Sequence, residues 1–387
     1  MYDLARQWRS HFTDFHHGLL GRQRHRVLAV AWRAEDRIED EKLETLTFLG
    51  FVALEDPLRR GVKEAIALCR EAGIRTIMLT GDQRATAEAV GRELGLRPEE
   101  IRSRVAPEDK LTLIKELQAA GEVVAMTGDG VNDAPALVRA DIGIAMGRHG
   151  TDVAREAADI VLVDDNFGTI VGAVEEGRVI HANLRKVIHF LFSCNLSEII
   201  TIFAAILCGF PAPLLPLQIL WVNLVTDIVP AMALVRDPAE PGVMRRAPRK
   251  PGQALVTWRF GGRMLAEAVL LGAGVLSAYF WAVGQEGAGP RANTIAFLAL
   301  VLIHPFQAMH CRSDRVGWWR LPSNTLTWIA LLTLILAQWA ATSWAPLARL
   351  LGVVPLSGLD WIVSAVAVVW PVAVLETIKA RRARIYA

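Results

Sequence analysis

The stretch AMTGDGVNDAPAL, residues 125–137, decides the fold. It continues the apolar run that begins at Val123 and crowds Asp129, Asn132 and Asp133 into five residues beside two glycines. A strand that runs into a glycine-rich acidic loop, with a helix opening behind it, marks a strand-end loop of an α/β domain. Ligands of such sheets sit at the carboxyl ends of the strands. Carboxylates gathered there suit a hard cation such as Mg²⁺, held through one or two acids plus substrate phosphate. The glycines let backbone approach a phosphate closely. Asp129 stands first after the strand and is the expected Mg²⁺ ligand. Asn132 and Asp133 sit where the next helix starts, and either alone would also serve as its cap.

The flanking sequence repeats the pattern. Residues 27–33 (VLAVAWR) and 46–57 (LTFLGFVALEDP) read as strands. From there helices and strands alternate: GVKEAIALCREAG closes at Gly73, IRTIMLTGD is a strand entering a loop, and ATAEAVGRELG closes at Gly95. PEDKLTLIKELQAAG is a helix with Pro107 near its start. Beyond the opening stretch, IGIAM and DIVLVDD are strands on either side of a helix over TDVAREAA. This alternation predicts a parallel sheet with helices on both faces. A second strand-end loop, Thr80-Gly81-Asp82, offers a hydroxyl to phosphate oxygens, and Lys110 offers an ammonium to phosphate charge. Alone, a Gly-Asp turn is common and a lysine is usually solvated. Together, a Thr/Gly loop, a cation and an acidic Mg²⁺ loop make a phosphoryl-transfer site.

Composition then splits the chain. Of 387 residues 52% are hydrophobic, and the mean hydropathy is +0.31. Charge concentrates in residues 1–186 and apolar runs in 187–378. The net charge of +2 is too small to point to nucleic acid. The four cysteines form no CxxC pair, so no zinc or redox motif is signalled. Residues 166–186 read as a helix leading into six apolar spans, near 187–209, 214–235, 263–283, 292–310, 326–345 and 359–378, each long enough to cross a bilayer. Lys and Arg collect before span one, between spans two and three, between four and five, and after six; the other loops hold only Arg291 and Arg349. The charge rule puts the basic loops, the soluble part and both termini on the cytoplasmic side, at the plasma membrane in a bacterial cell.

Ionisable groups inside a span are functional candidates. Span one carries Asn195 and Glu198 three residues apart, and span two carries Asn223, Thr226 and Asp227 at i, i+3 and i+4, each set on one face of a regular helix. Two carboxylates with several neutral oxygens make a dehydrated cage for a hard cation. The competing reading is a polar contact that only helps helices pack; two mid-span carboxylates are a costly way to do that.

The ordered motifs MLTGD, RVAPEDK, MTGDGVNDAPAL, ADIGIAMG, DDNFGTIV and EEGR resemble the phosphorylation domain of P-type cation-transporting ATPases. ILWVNLVTDIVPAMAL, residues 219–234, is similar to the calcium-pump branch of that family. The resemblance runs from about Val27 to the C-terminus. It implies a haloacid-dehalogenase-like fold, with Rossmann-like parallel sheet, followed by an all-α six-helix transmembrane domain. It implies ATP and Mg²⁺ as cofactors, with Asp129 and Asp133 as Mg²⁺-site acids, Asn132 and Lys110 beside phosphate and metal, and Thr80, Gly81 and Asp82 in the phosphate loop. Arg26, and Asp56 with Arg59, resemble nucleotide-facing elements. In the membrane, Asn195, Glu198, Asn223, Thr226 and Asp227 coincide with ion-binding positions, and Pro230 interrupts the second span as in the family. His304 in LIHPFQAMH departs from it, standing where calcium pumps carry an acid; a histidine there is either neutral or a proton-carrying stand-in for a cation. Ca²⁺ is the expected ion, ahead of Mn²⁺, Na⁺ or H⁺-exchanging variants.

The family's nucleophile is an aspartate in Asp-Lys-Thr-Gly-Thr. The sole Asp-Lys pair here, Asp109-Lys110, continues Leu-Thr. The expected domains are therefore a nucleotide-domain remnant (1–47), a phosphorylation domain without its nucleophile segment (48–186) and the transmembrane domain (187–387). Residues 1–20 match no motif. The expected function is the C-terminal part of a cation pump, inactive alone, its other half on a separate chain or lost by truncation. The alternative is a non-catalytic membrane protein that binds cations or regulates a pump; a tethered phosphatase is disfavoured because it would need the nucleophile.

Overall fold

The computed structural model describes residues 26–32, 47–54, 58–249 and 251–385. Two compact units emerge. One comprises Met1–Val174 with Met244–Gly252, the other Glu175–Val243 with Gln253–Ala387.

In the first unit, β1 (Arg26–Trp32) and β2 (Thr47–Leu54) pair antiparallel. The helix–strand alternation starts after them: α1 (Val62–Glu71), β3 (Met78–Leu79), α2 (Arg84–Glu93), β4 (Ile101–Arg102), α3 (Pro107–Ala119), β5 (Ala125–Gly128), α4 (Ala134–Arg139), β6 (Ile142–Met146), α5 (Asp152–Ala157) and β7 (Ile160–Leu162). Strands β5, β6 and β7 pair in parallel in that order, and β3 pairs in parallel with β4. The parallel architecture read from the alternation is present, and the β1–β2 ribbon precedes it. Glycines end the first two helices: Gly73 at φ 72° and Gly95 at φ 75° adopt the left-handed conformation that closes a helix. Pro107 opens α3, and the Asp109 carboxylate accepts from the Ala106 backbone N–H at 2.9 Å. Ile114, Met126, Ala136, Leu137, Ala145 and Ala154 form a buried core, and Leu79 packs against it. One apolar cluster thus anchors both β3 and β5, the strands that feed the two candidate phosphate loops.

The second unit is helical. Its first helix belongs to α6 (Phe167–Leu207), a single uninterrupted element that joins the expected linker to the first span. The second span differs from a continuous helix over 214–235. It is α7 (Pro216–Trp221), a wide π turn at Val222–Thr226, and α8 (Ile228–Val235). Pro230 supplies the cause. It has no N–H to bond the Thr226 carbonyl, and its ring crowds that carbonyl, so the preceding turn opens. The Asp227 N–H reaches back to the Val222 carbonyl at 3.2 Å, the i→i+5 spacing of a π turn.

The remaining helices are α9 (Trp258–Glu286), α10 (Pro290–Cys311), α11 (Thr325–Ser343), α12 (Ala345–Leu351) and α13 (Gly358–Ile385). Among the described residues, six helical segments are long and apolar enough to cross a membrane: α6, the broken Pro216–Val235 pair, α9, α10, α11 and α13 up to Arg381. Helix α10 is buried along nearly its whole length, while α11 and α13 leave most of their apolar surface outside the bundle. Leu332, Leu336, Trp339, Ile362 and Val366 point outward. Apolar faces of that extent are at home in lipid, not water. The chain is a multi-pass membrane protein. Close helix contact rests on small residues: a Cβ on Gly274 of α9 would lie 2.5 Å from the Ala367 carbonyl oxygen of α13.

Candidate phosphate and cation sites

The loop after β5 is built by its own backbone. Asp133, buried at the start of α4, turns its carboxylate back into the loop. Oδ2 accepts from the N–H groups of Asp129 at 3.3 Å and Gly130 at 3.2 Å. Oδ1 takes the Lys110 ammonium at 2.6 Å. Gly128 makes this turn possible, because a Cβ there would fall 2.5 Å from Asp133 Cβ. Asp129 and Asn132 are exposed at the rim. The Asp129 carbonyl accepts from the Thr151 N–H at 2.9 Å, which ties the loop to the start of α5. Its carboxylate has no hydrogen bond among the described residues and is the acid with unengaged oxygens.

The loop after β3 closes on itself. Thr80 Oγ1 donates to Asp82 Oδ2 at 3.0 Å and accepts from the Asp82 N–H at 3.1 Å. The Val105 N–H bonds the Thr80 carbonyl, which fixes the loop beside the segment leading to Lys110. Gly81 is exposed, leaving this turn open to a ligand.

The residues that resemble nucleotide-facing elements are placed less fully. Arg26 opens β1, but its side chain, like the whole of Asp56, lies outside the described residues. Arg59 donates to the Asp165 carbonyl oxygen at 2.6 Å. Asp165 itself was not singled out by its sequence. It is buried, holds a left-handed backbone at φ 52°, and accepts from the N–H groups of Arg148 and His149 at 3.0 Å each. The His149 ring adds a contact at 2.6 Å. Burial alone would raise the carboxyl's pKa, but these donors outweigh it and hold it well below the usual carboxylate range.

In the membrane unit, α6, the broken second span and α10 bring five of the six candidate residues together. His304 is at the centre, fully buried. Its Nδ1 lies 3.0 Å from Asp227 Oδ1 and 3.2 Å from Thr226 Oγ1, and its Nε2 lies 3.7 Å from Glu198 Oε1. Asn195 donates to Asp227 Oδ2 at 3.3 Å. Glu198 Oε1, Asp227 Oδ1 and His304 Nε2 are buried with no hydrogen bond. Asn223 is elsewhere. It is exposed, and its amide donates to the Ile219 carbonyl at 3.1 Å. The single face expected for Asn223, Thr226 and Asp227 assumes 3.6 residues per turn. The π turn ends on Thr226, and its wider spacing rotates Asn223 away from the other two.

The family model described as "Cation transporting ATPase, C-terminus" matches residues 211–381, and that described as "haloacid dehalogenase-like hydrolase" matches residues 4–141. The chain belongs to the P-type cation-transporting ATPases. The hydrolase match opens at residue 4, ahead of Val27, where the motif resemblance starts. Relatives include a "Calcium-transporting ATPase" of Bacillus subtilis, 40% identical over 88% of this chain and 42% of that protein. A "Probable cation-transporting ATPase F" of Mycobacterium tuberculosis is 41% identical over 79% of this chain and 38% of its own length. An endoplasmic-reticulum-type "Calcium-transporting ATPase 3" of Arabidopsis thaliana is 36% identical over 87% and 40%. The chain spans about two fifths of the length of these relatives.

Proposed function

We propose that the chain is the C-terminal part of an ATP-driven cation pump, with Ca²⁺ as the transported ion. The observation that carries this reading is the cage around His304. Two carboxylates from α6 and the broken second span are buried there, each with an oxygen that makes no hydrogen bond. A buried carboxyl oxygen without a hydrogen bond is costly, and a dehydrated hard cation would relieve both at once. Relatives named for calcium, from a bacterium and a plant, favour Ca²⁺ over Mn²⁺ or Na⁺. His304 between the acids fits exchange of the ion against a proton.

The soluble loops fit the other half of the chemistry. The donor set around Asp129 suits Mg²⁺, with Asp133 holding Lys110 and the loop in place and Asn132 at the rim. Bound Mg²⁺ would neutralise charge on a transferring phosphoryl group. Thr80, Gly81, Asp82 and Lys110 would hold its oxygens, and Arg26, Asp56 and Arg59 would lie towards ATP. These 387 residues contain no Asp-Lys-Thr-Gly-Thr, so the phosphorylated aspartate comes from sequence outside them, on the same or a separate chain. The soluble unit and the basic loops face the cytoplasm, at the plasma membrane in a bacterial cell.

Asp227→Asn in the purified chain is expected to weaken Ca²⁺ binding about 100-fold, or about 2.7 kcal/mol, by titration calorimetry; unchanged binding overturns the cage. Radiolabelled ATP is expected to leave no acid-stable label on this chain alone. Labelling would show that it carries a nucleophile of its own. A non-catalytic cation-binding role is the second reading. Supplying the upstream half of a related pump separates the two: restored ATP-driven Ca²⁺ uptake supports the pump, and none supports the second reading.

A further inference from the structure

A second buried cluster lies in the membrane unit, formed by residues outside the cage. It repeats the geometry of His304: an imidazole wedged between two carboxylates, one ring nitrogen close and the other farther off. His310 Nδ1 is 2.6 Å from Glu376 Oε1, and its Nε2 is 3.6 Å from Glu267 Oε1. His189 Nε2 is 2.6 Å from Glu267 Oε2, and its Nδ1 is 3.7 Å from Asp314 Oδ1. The groups therefore alternate as acid, imidazole, acid, imidazole, acid, from Asp314 through Glu267 to Glu376. His189, Glu267, His310 and Glu376 are all buried, whereas the Asp314 side chain keeps 34% of its surface open. One end of the series is at the surface and the rest is inside the bundle.

The charges around the series set where a proton rests. Arg263 bonds Glu267 Oε1 at 2.6 Å and Asp314 Oδ1 at 2.9 Å. Lys379 bonds Glu376 Oε1 at 2.7 Å, and Arg185 lies 3.5 Å from Asp314 Oδ2. Gln307 donates to Glu267 Oε2 at 3.0 Å. These partners set three cations, Arg185, Arg263 and Lys379, beside the three acids, and leave the imidazoles as the groups with a ring nitrogen free to take a proton. His310 shows the opening for it. Its Nε2 is buried without a hydrogen bond and faces a carboxylate oxygen. As a bare acceptor it opposes that oxygen; carrying a proton it would donate to it.

We propose that His189 and His310, linked through Glu267, form a buried proton-binding site that fills and empties through Asp314. A proton arriving on Asp314 Oδ1 passes to His189 Nδ1, and His189 releases its Nε2 proton to Glu267 Oε2. Glu267, briefly a neutral acid protonated on Oε2, turns its carboxyl about the Cγ–Cδ bond so that this same proton faces His310 Nε2, and gives it up there. One proton enters and one is stored on His310, whose Nδ1–H keeps its bond to Glu376. Release runs the same steps backwards. Asp314 follows α10 among Arg312, Arg315 and Arg320, so the orientation proposed above opens the site to the cytoplasm. The site does not depend on which ion the cage holds.

The test is proton uptake by the full purified chain in lipid nanodiscs, followed with a pH-indicator dye after a jump from about pH 8 to about pH 5, the range in which histidine titrates. His310→Gln is expected to take up one proton fewer per chain; an unchanged amount overturns the proposal. Asp314→Asn, in a partly exposed loop, is expected to take up the wild-type amount about tenfold more slowly, and formate buffer is expected to restore the rate. A network that only clamps helices together would leave the Asp314→Asn rate unchanged, and that result overturns the proposal even if His310→Gln does not fold.

Discussion

The loop after β5 and the cage around His304 both crowd carboxylates into a small space, and they treat them in opposite ways. In the loop, both oxygens of Asp133 are engaged, one by Lys110 and one by two backbone N–H groups of the same turn. In the cage, Asp227 Oδ1 and Glu198 Oε1 are buried and make no hydrogen bond. The loop is preorganised by the protein, and a ligand meets an assembled surface. The cage keeps carboxylate oxygens without hydrogen bonds, and on the function proposed above an ion would engage them. Removing a partner should therefore harm the loop's stability, whereas removing an acid should cost the cage its response to a cation.

The largest expected effect is on the loop. Lys110→Met leaves Asp133 largely buried with backbone donors alone, and breaking one side of such a pair costs about 3 kcal/mol. The first unit should unfold at correspondingly lower urea, as read by hydrogen exchange of the β5 and α4 amides. A loss confined to ligand binding, with protection unchanged, would mean that the loop is not held by its own pairing. The next effect belongs to the cage. A saturating cation, at about 100 times its dissociation constant, should stabilise the membrane unit by about 2.7 kcal/mol. Glu198→Gln should abolish that gain while leaving the cation-free protein at least as stable, because it replaces a buried carboxyl oxygen that makes no hydrogen bond. If Glu198→Gln instead destabilises the cation-free protein, the two sites follow one rule and the contrast fails.

The same difference explains what was legible in the sequence. Asp129, Asn132 and Asp133 fall within five residues, so their loop is visible as a word, and the six spans are visible as apolar length. The cage drew on α6, the broken second span and α10. Its residues could be named one by one from their rarity inside apolar runs, but not their arrangement, and Asn223 was misplaced because a proline three residues beyond Asp227 alters a turn that spacing treats as regular. The series from Asp314 to Glu376 was harder still. His189, Glu267, His310 and Glu376 come from four different helices, and only packing joins them. Asp165 was hidden for a different reason: its role lies in the backbone N–H groups of Arg148 and His149, which no side-chain pattern records.

Asp165 also gives the smallest and most specific test of preorganisation. Burial would raise its carboxyl's pKa, yet the N–H groups of Arg148 and His149 and the His149 ring hold it well below the ordinary range. A carboxyl depressed in the folded state stabilises the fold above its unfolded pKa of about 3.9. That contribution is lost as pH falls below this value towards the folded pKa. Protection of the Arg148 and His149 amides should thus hold from neutral pH down to about pH 4 and then decline. Asp165→Asn should lower protection at neutral pH and flatten the decline. Hydrogen exchange at these two amides measures both, and a variant that keeps the wild-type acid profile would show that the carboxylate does not anchor this turn. Nothing comparable is expected in the cage, where no backbone N–H of the described residues bonds Asp227 or Glu198.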